Sequence, residues 1–351
     1  MGRLAAFALA AVACGSDEGG HAVDAGPPPR EVSAELTVDE SGISEEMVFA
    51  VPARTRSVTV VVEGAKDALY ALAELRTADG ADQVKLPAGA PGPAMAASYE
   101  DEQIGQMPGE LYQTIRLGTF THLFPYRPDQ SLPEGMSSLR VASDRPGPVS
   151  VTLVMPEETG ARALHMNVVV VSDSVTVADP PGFAEEVAAL FAQVDIDVVF
   201  DRVVTVAGSG LEVITDFSEP QERPDSMSAM LPGLVSDLGG AALDVFVVEA
   251  LPAGVGGLSL GTPGPPLRGS YYYGVVVLPP VGDGEAARVV THEVCHFMAL
   301  QHVENRGISG AVYPDPLDDT APGQGNLMEG GTTLTRDQAW SLQRSALLQA
   351  E

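Results

Sequence analysis

A chain of 351 residues that is 45% apolar and 19% charged has the composition of a globular protein. Its length allows two domains of roughly 100–200 residues each. Its 19 basic and 48 acidic side chains leave a net charge of −29, which repels nucleic-acid phosphates and anionic lipid surfaces and excludes a partner held by its phosphate backbone.

The chain opens MGRLAAFALAAVACGSDEGG. Arg3 precedes an apolar run from Leu4 to Ala13 that is too short to span a bilayer and reads as a signal-peptide core, residues 1–13. With Ala11, Val12 and Ala13 ahead of Cys14, it resembles a bacterial lipoprotein signal, in which the cysteine is lipidated and becomes the new N-terminus. The resemblance implies a lipid anchor on Cys14. Gly15, rather than an acid, points to the outer membrane or cell surface. An ordinary secretory signal cleaved nearby is the alternative. The only other cysteine, Cys295, then has no disulfide partner within the chain and reads as a small buried apolar residue.

Residues 14–30 are rich in Gly, Pro and Asp and lack apolar periodicity, as expected of a flexible tether. From 31 to 158, short β-type runs such as Ser57–Val62, Leu111–Ile115 and Val149–Val154 alternate with Gly, Pro and Asp clusters, and Gly89–Ala94 is a loop. Short strands at regular spacing predict an all-β sandwich. It resembles the accessory sandwich modules of secreted bacterial peptidases, and no catalytic cluster occurs in it. Spacer, binding domain, folding aid and inhibitory pro-segment all remain open roles, although no cysteine is present to act as a thiol latch on a metal.

After Gly160 the rhythm changes. His165–Val171 is a buried-type strand, and Asp179-Pro180-Pro181 opens a helix with Phe183, Val187, Leu190, Phe191 and Val194 on one stripe. A strand near Val198–Val206, a helix over Asp225–Leu238 that Pro232 can break, and a strand at Leu243–Glu249 follow. Gly256–Leu260 and Tyr273–Leu278 are two further strands, the second leading through Gly282-Asp283-Gly284 into a helix. Strands alternating with helices predict a mostly parallel α/β sheet for residues 160–351.

That last helix is the most informative stretch. His292, His296 and His302 are three of the chain's six histidines, and no Gly or Pro interrupts Glu285–Leu300. Residues four apart share a helix face, so the His292 and His296 imidazoles can bind one Zn²⁺, with Glu293 beside them within reach of a metal-held water. His302 lies six residues past His296, about 600° of helical turn, and joins the pair only if the helix ends near Ala299 and the chain bends back.

His292-Glu293-Val294-Cys295-His296-Phe297-Met298-Ala299-Leu300-Gln301-His302 resembles the H-E-x-x-H-x-x-G-x-x-H signature of the metzincin metallopeptidases. Ala299 departs from it where the family has glycine. Asn326-Leu327-Met328 resembles the family's Met-turn with Met328 beneath the metal, and Thr335–Gln338 is a capping box that opens a C-terminal helix. The resemblance implies a metzincin-like catalytic domain with an active-site helix, Zn²⁺ on His292, His296 and His302, and Glu293 as general base. It also implies a protein or peptide substrate extended along the edge strand Gly256–Leu260. Gly330 stands where some members carry a tyrosine, and Tyr271, Tyr272 and Tyr273 are candidate substitutes, though structural roles suit them better.

Three imidazoles with an open fourth position form a catalytic rather than a structural zinc pattern. The expected activity is therefore a zinc endopeptidase of the cell envelope. Two alternatives stand beside it: a third ligand drawn from Asp315, Asp318, Asp319 or Glu329, and a non-catalytic surface-binding lipoprotein with an idle zinc site. Asp315–Asp319 also offers oxygen ligands of the kind Ca²⁺ takes, with a solvated acidic loop as the plainer reading.

Overall fold

The computed structural model describes residues 29–86, 116–158, 160, 162–172, 180–215, 231–238, 240, 242–270, 272–279, 284–306 and 312–349. The signal and lipidation readings at residues 1–14, most of the tether, the Leu111–Ile115 strand and the Gly89–Ala94 loop lie outside these residues. The chain is mixed α/β, with several sheets and few helices.

The first strands are β1 (Arg30–Val38), β2 (Met47–Val51), β3 (Val58–Glu63), β4 (Leu69–Arg76), β5 (Asp82–Lys85), β6 (Arg116–Leu117), β7 (Thr119–Phe124), β8 (Gly135–Ser143) and β9 (Gly147–Met155). They form two antiparallel sheets, β1-β9-β3-β7 and β2-β8-β4-β5, with β6 beside β4. Alternation decides which side chains go inside: along β1, Leu36 and Val38 are buried while Glu35 and Thr37 face solvent. Leu36, Val60, Val62, Phe120, Val151 and Leu153 of one sheet share a buried cluster with Phe49, Leu72, Leu139 and Val141 of the other. Each such side chain contributes about 1.5–3 kcal/mol on leaving water.

The later elements are β10 (Ala163–Val170), α1 (Pro180–Ala192), β11 (Asp197–Thr205), β12 (Leu243–Val247), β13 (Gly257–Ser259), β14 (Val275–Val277), α2 (Glu285–Phe297), β15 (Glu304–Arg306), β16 (Val312–Pro314), α3 (Arg336–Leu342) and β17 (Leu348–Gln349). Their main sheet runs β11-β10-β12-β14-β13, with β17 also on β10. The β10–β11, β10–β12 and β12–β14 pairs are parallel; β13 is an antiparallel edge strand. One face packs Met166, Val168, Val245 and Val275 against α1 and α2, and the other packs Val169, Phe246 and Val276 against Leu211, Leu231 and Tyr272. Cover on both faces is why these strands read as unbroken apolar runs.

The helix expected over Asp225–Leu238 is instead a 3-10 segment, Leu231–Leu238, kinked at Val235 (φ −129°), with 225–230 outside the described residues. Pro232 lacks the N–H that an α-helix needs there. The strand core expected at Tyr273–Leu278 is shorter, Val275–Val277, and Leu190 on the α1 stripe is only half-buried. The strands before residue 158 touch the later sheet directly: Arg56 donates to the Ser345 and Leu348 carbonyls (2.7 and 3.2 Å), and Ser57 to the Arg344 carbonyl (2.5 Å). Among the described residues no helix is long and apolar enough to cross a membrane.

Candidate metal centre

Helix α2 starts at Gly284, whose φ of 71° suits glycine, and buries Ala287, Val290 and Val294 against the sheet. That anchoring turns His292 and His296 to one side, their rings 4.6 Å apart. The helix stops in a Schellman turn: Ala299 N–H donates to the His296 carbonyl and Leu300 N–H to the Cys295 carbonyl, both 2.9 Å. Ala299 sits at φ 104°, in the left-handed region where the family signature has glycine. Its methyl is buried, and that burial, worth about 0.8 kcal/mol, offsets part of a strain of about 1–2 kcal/mol. Alanine therefore makes the turn, and the chain comes back.

The return brings His302 Nε2 to 3.2 Å from His292 Nε2 and 3.1 Å from His296 Nε2. Ligands bound tetrahedrally at 2.0–2.1 Å lie roughly 3.3–3.4 Å apart, so the spacing matches one small cation. The outer nitrogens decide the protonation. His292 Nδ1 donates to the Leu327 carbonyl (2.9 Å) and His296 Nδ1 to the Leu300 carbonyl (2.7 Å). A carbonyl only accepts, so each neutral ring keeps its proton on Nδ1 and presents a bare Nε2 lone pair. At most one proton, on His302, is available for the two inner contacts; a cation satisfies all three nitrogens. Burial pushes the His292 pKa down to about 4, opposed by the Leu327 carbonyl, so its ring is neutral at pH 7.

Glu293, the residue after His292, lies against β13. It is buried, and burial pushes its pKa up to about 7 against the lowering effect of the Ser259 backbone N–H. Gly257 leaves room for it: a Cβ there would lie 2.7 Å from Glu293 Cγ and 3.1 Å from Oε1. Met328 is buried in the short 3-10 segment Leu327–Glu329, next to the carbonyl that orients His292. Asn326 holds this turn by accepting from the Met328 N–H (2.9 Å), and its amide pairs both ways with Gln338 (2.8 and 3.1 Å). Gln338 also closes the expected capping box with Thr335.

Among the described residues the three histidines form the one group of three or more ligand-type side chains close enough to hold a metal. The acids considered as third ligand are not in it. Asp315 accepts from the Thr320 hydroxyl and the Leu317 N–H, Asp319 from the Asp337 N–H and Glu329 from the Gly323 N–H. Among the described residues Asp315, Asp318 and Asp319 are likewise in no group of side-chain ligand atoms close enough to hold a metal. Tyr273 donates to the Ala242 carbonyl (2.6 Å) and packs edge-on to Phe297, and Tyr272 is buried on the other sheet face, so both are structural; Tyr271 lies outside the described residues. Cys295 is free and fully buried, with its thiol pKa pushed up by that burial, in keeping with an apolar role.

The orienting carbonyls of Leu300 and Leu327 and the Asn326–Gln338 pair were not legible in the sequence. Main-chain acceptors leave no residue-type signal, and Asn326 and Gln338 lie in separate elements with no shared periodicity.

No protein-family model matches the chain, and neither does any curated protein. Among solved structures, one similar chain comes from a chaperone–substrate complex, with 10% identity over 42% of this chain and a TM-score of 0.28. This chain spans a quarter of it, 25%. An archaemetzincin from Methanopyrus kandleri is similar with 14% identity over 52% of this chain and 88% of that one, at a TM-score of 0.27. Likenesses this distant carry no argument about fold or activity, which stand on the geometry of the residues themselves.

Proposed function

We propose that this chain is a zinc-dependent endopeptidase of the cell envelope, anchored by a lipid on Cys14. In this reading residues 31–158 are an accessory β-sandwich and residues 160–351 a metzincin-like catalytic domain. The observation that carries it is the approach of His302 Nε2 to 3.2 and 3.1 Å from the Nε2 atoms of His292 and His296, whose own protons are drawn to Nδ1 by their carbonyl partners. His292, His296 and His302 would hold the metal. Zinc, when bound, supplies a water acidified to near neutrality and polarises a substrate carbonyl.

The chain's own residues do the rest. The Glu293 carboxyl would take a proton from that water and return it to the leaving amine, work worth about 10²–10⁴ in rate. Among the described residues strand β13 pairs with β14 alone, and its other edge would take an extended peptide by backbone hydrogen bonds. Burial of Glu293 behind that strand keeps bulk water from its carboxylate.

The test is a mixed peptide library incubated with full-length protein and zinc, with wild type and Glu293→Ala compared by mass spectrometry. Cleavage by wild type alone supports the proposal. Silence from both with zinc bound would leave a surface-binding protein with an idle metal site.

A further inference from the structure

The Leu327 carbonyl that accepts from His292 Nδ1 also accepts from the Gly330 N–H at 3.0 Å, closing the short turn Leu327–Glu329. Its aim at the imidazole therefore depends on where Gly330 lies. Arg288, one helical turn before His292 on α2, holds that residue: its Nη1 donates to the Gly330 carbonyl at 2.9 Å. Glycine at this position, with φ 84°, permits the close approach, because a Cβ there would lie 3.2 Å from Arg288 Nη1.

Residues four apart stand on one helix face, roughly 5–6 Å from each other. Arg288 and His292 thus grip one turn at both its ends, at the Gly330 and the Leu327 carbonyl. Two contacts at that spacing fix the tilt of the turn on the helix, which one contact would leave free. The other ties run elsewhere. Gln193, just past α1, donates to the Thr332 carbonyl (3.0 Å), the Leu327 N–H donates to the Thr333 carbonyl (2.7 Å), and Gln338 of α3 pairs with Asn326. Arg288 refers the turn to the histidine helix itself. Its ion pair with Glu285 is 3.6 Å long, on a side chain 74% exposed, and such a pair contributes little, whereas a charged donor on a carbonyl makes one of the stronger hydrogen bonds.

Resting on the zinc reading of the three histidines, we infer that Arg288 is a positioning residue for His292. It holds the turn where the Leu327 carbonyl meets Nδ1, and so keeps the Nε2 lone pair aimed at the metal. Outer groups that orient metal ligands change metal affinity by about 10–100-fold when removed; Arg288 stands one link beyond Leu327, so its effect falls at the lower end. The sign is diagnostic. A cation one helical turn from the site repels a second cation, so a purely electrostatic role would make zinc bind more tightly once the charge is gone. Positioning predicts the opposite.

The experiment measures zinc affinity of the full-length protein by competition with a chromophoric chelator. Alongside it, histidine side-chain ¹⁵N spectra of the metal-free protein report the tautomer of each ring. Arg288→Met keeps the aliphatic stem and removes the guanidinium. The expected result is affinity lower by about 10-fold, loss of the fixed Nδ1–H tautomer at His292 but not at His296, and little change in the metal-free unfolding midpoint. In a His292→Ala background, Arg288→Met should weaken zinc no further. Unchanged or tighter zinc binding, an unaltered His292 tautomer, or an equal loss in both backgrounds overturns the assignment while leaving the zinc site standing. Failure of wild type to take up zinc overturns the zinc reading and the role of Arg288 with it.

Discussion

Gly257→Ala separates proton transfer from metal binding. The new methyl would sit 2.7 Å from Glu293 Cγ and 2.9 Å from Val289 Cγ1, where ordinary contact begins near 3.4 Å. The helix cannot retreat as a body, because Val290 and Val294 are fully packed on its other side. The Glu293 carboxylate must therefore move by about 1 Å, a displacement that costs roughly 10²-fold in rate. That factor is about 2.7 kcal/mol of barrier. No histidine atom is among the nearest neighbours of the new methyl, so zinc affinity should hold. Steady-state kcat on the best library peptide, with zinc affinity alongside, reads both effects, and a urea midpoint checks for the overpacking cost of about 1–3 kcal/mol. Wild-type kcat in Gly257→Ala, or a further loss when it is added to Glu293→Gln, would refute the reasoning.

Two other expectations concern stability. His122 of β7 is half-buried and stacked on Phe120, and burial pushes its pKa down to about 4. The unfolded chain takes up this proton near pH 6.5 and the folded chain resists it to about 4, so the contribution is complete above 6.5 and lost as pH falls through that window. Between pH 7 and 4.5 the unfolding free energy from urea melts should fall by about 1–3 kcal/mol more for wild type than for His122→Phe; equal drops would contradict this. Arg268 grips the buried Asp244 with two bonds (2.8 and 3.0 Å), while Asn167 donates to the same carboxylate (2.8 Å). Arg268→Leu strands that charge and should destabilise by about 3–5 kcal/mol in urea melts, with Asp244→Asn restoring part of the loss.

The features legible in the sequence are those written in local periodicity. The histidine helix, the capping box at Thr335, the α1 stripe and the apolar strands of the main sheet all follow from spacing within one element. Ala299 shows where a family signature is stricter than the physics, since the left-handed turn forms at a modest cost without glycine. What stayed hidden is long-range. The pairing of β17 with β10 and the carbonyl of Leu327 that fixes the His292 tautomer join residues far apart, and nothing near either partner announces the other. The Leu231–Leu238 kink was half-visible through Pro232.

X-ray absorption at the zinc edge tests the three-histidine site most directly. The full-length protein, loaded with one equivalent of zinc, should show three imidazole nitrogens at about 2.0–2.1 Å and one oxygen ligand, and His302→Ala should lose one imidazole contribution. A sulfur shell near 2.3 Å, an unchanged spectrum in His302→Ala, or no stoichiometric zinc at all would contradict it.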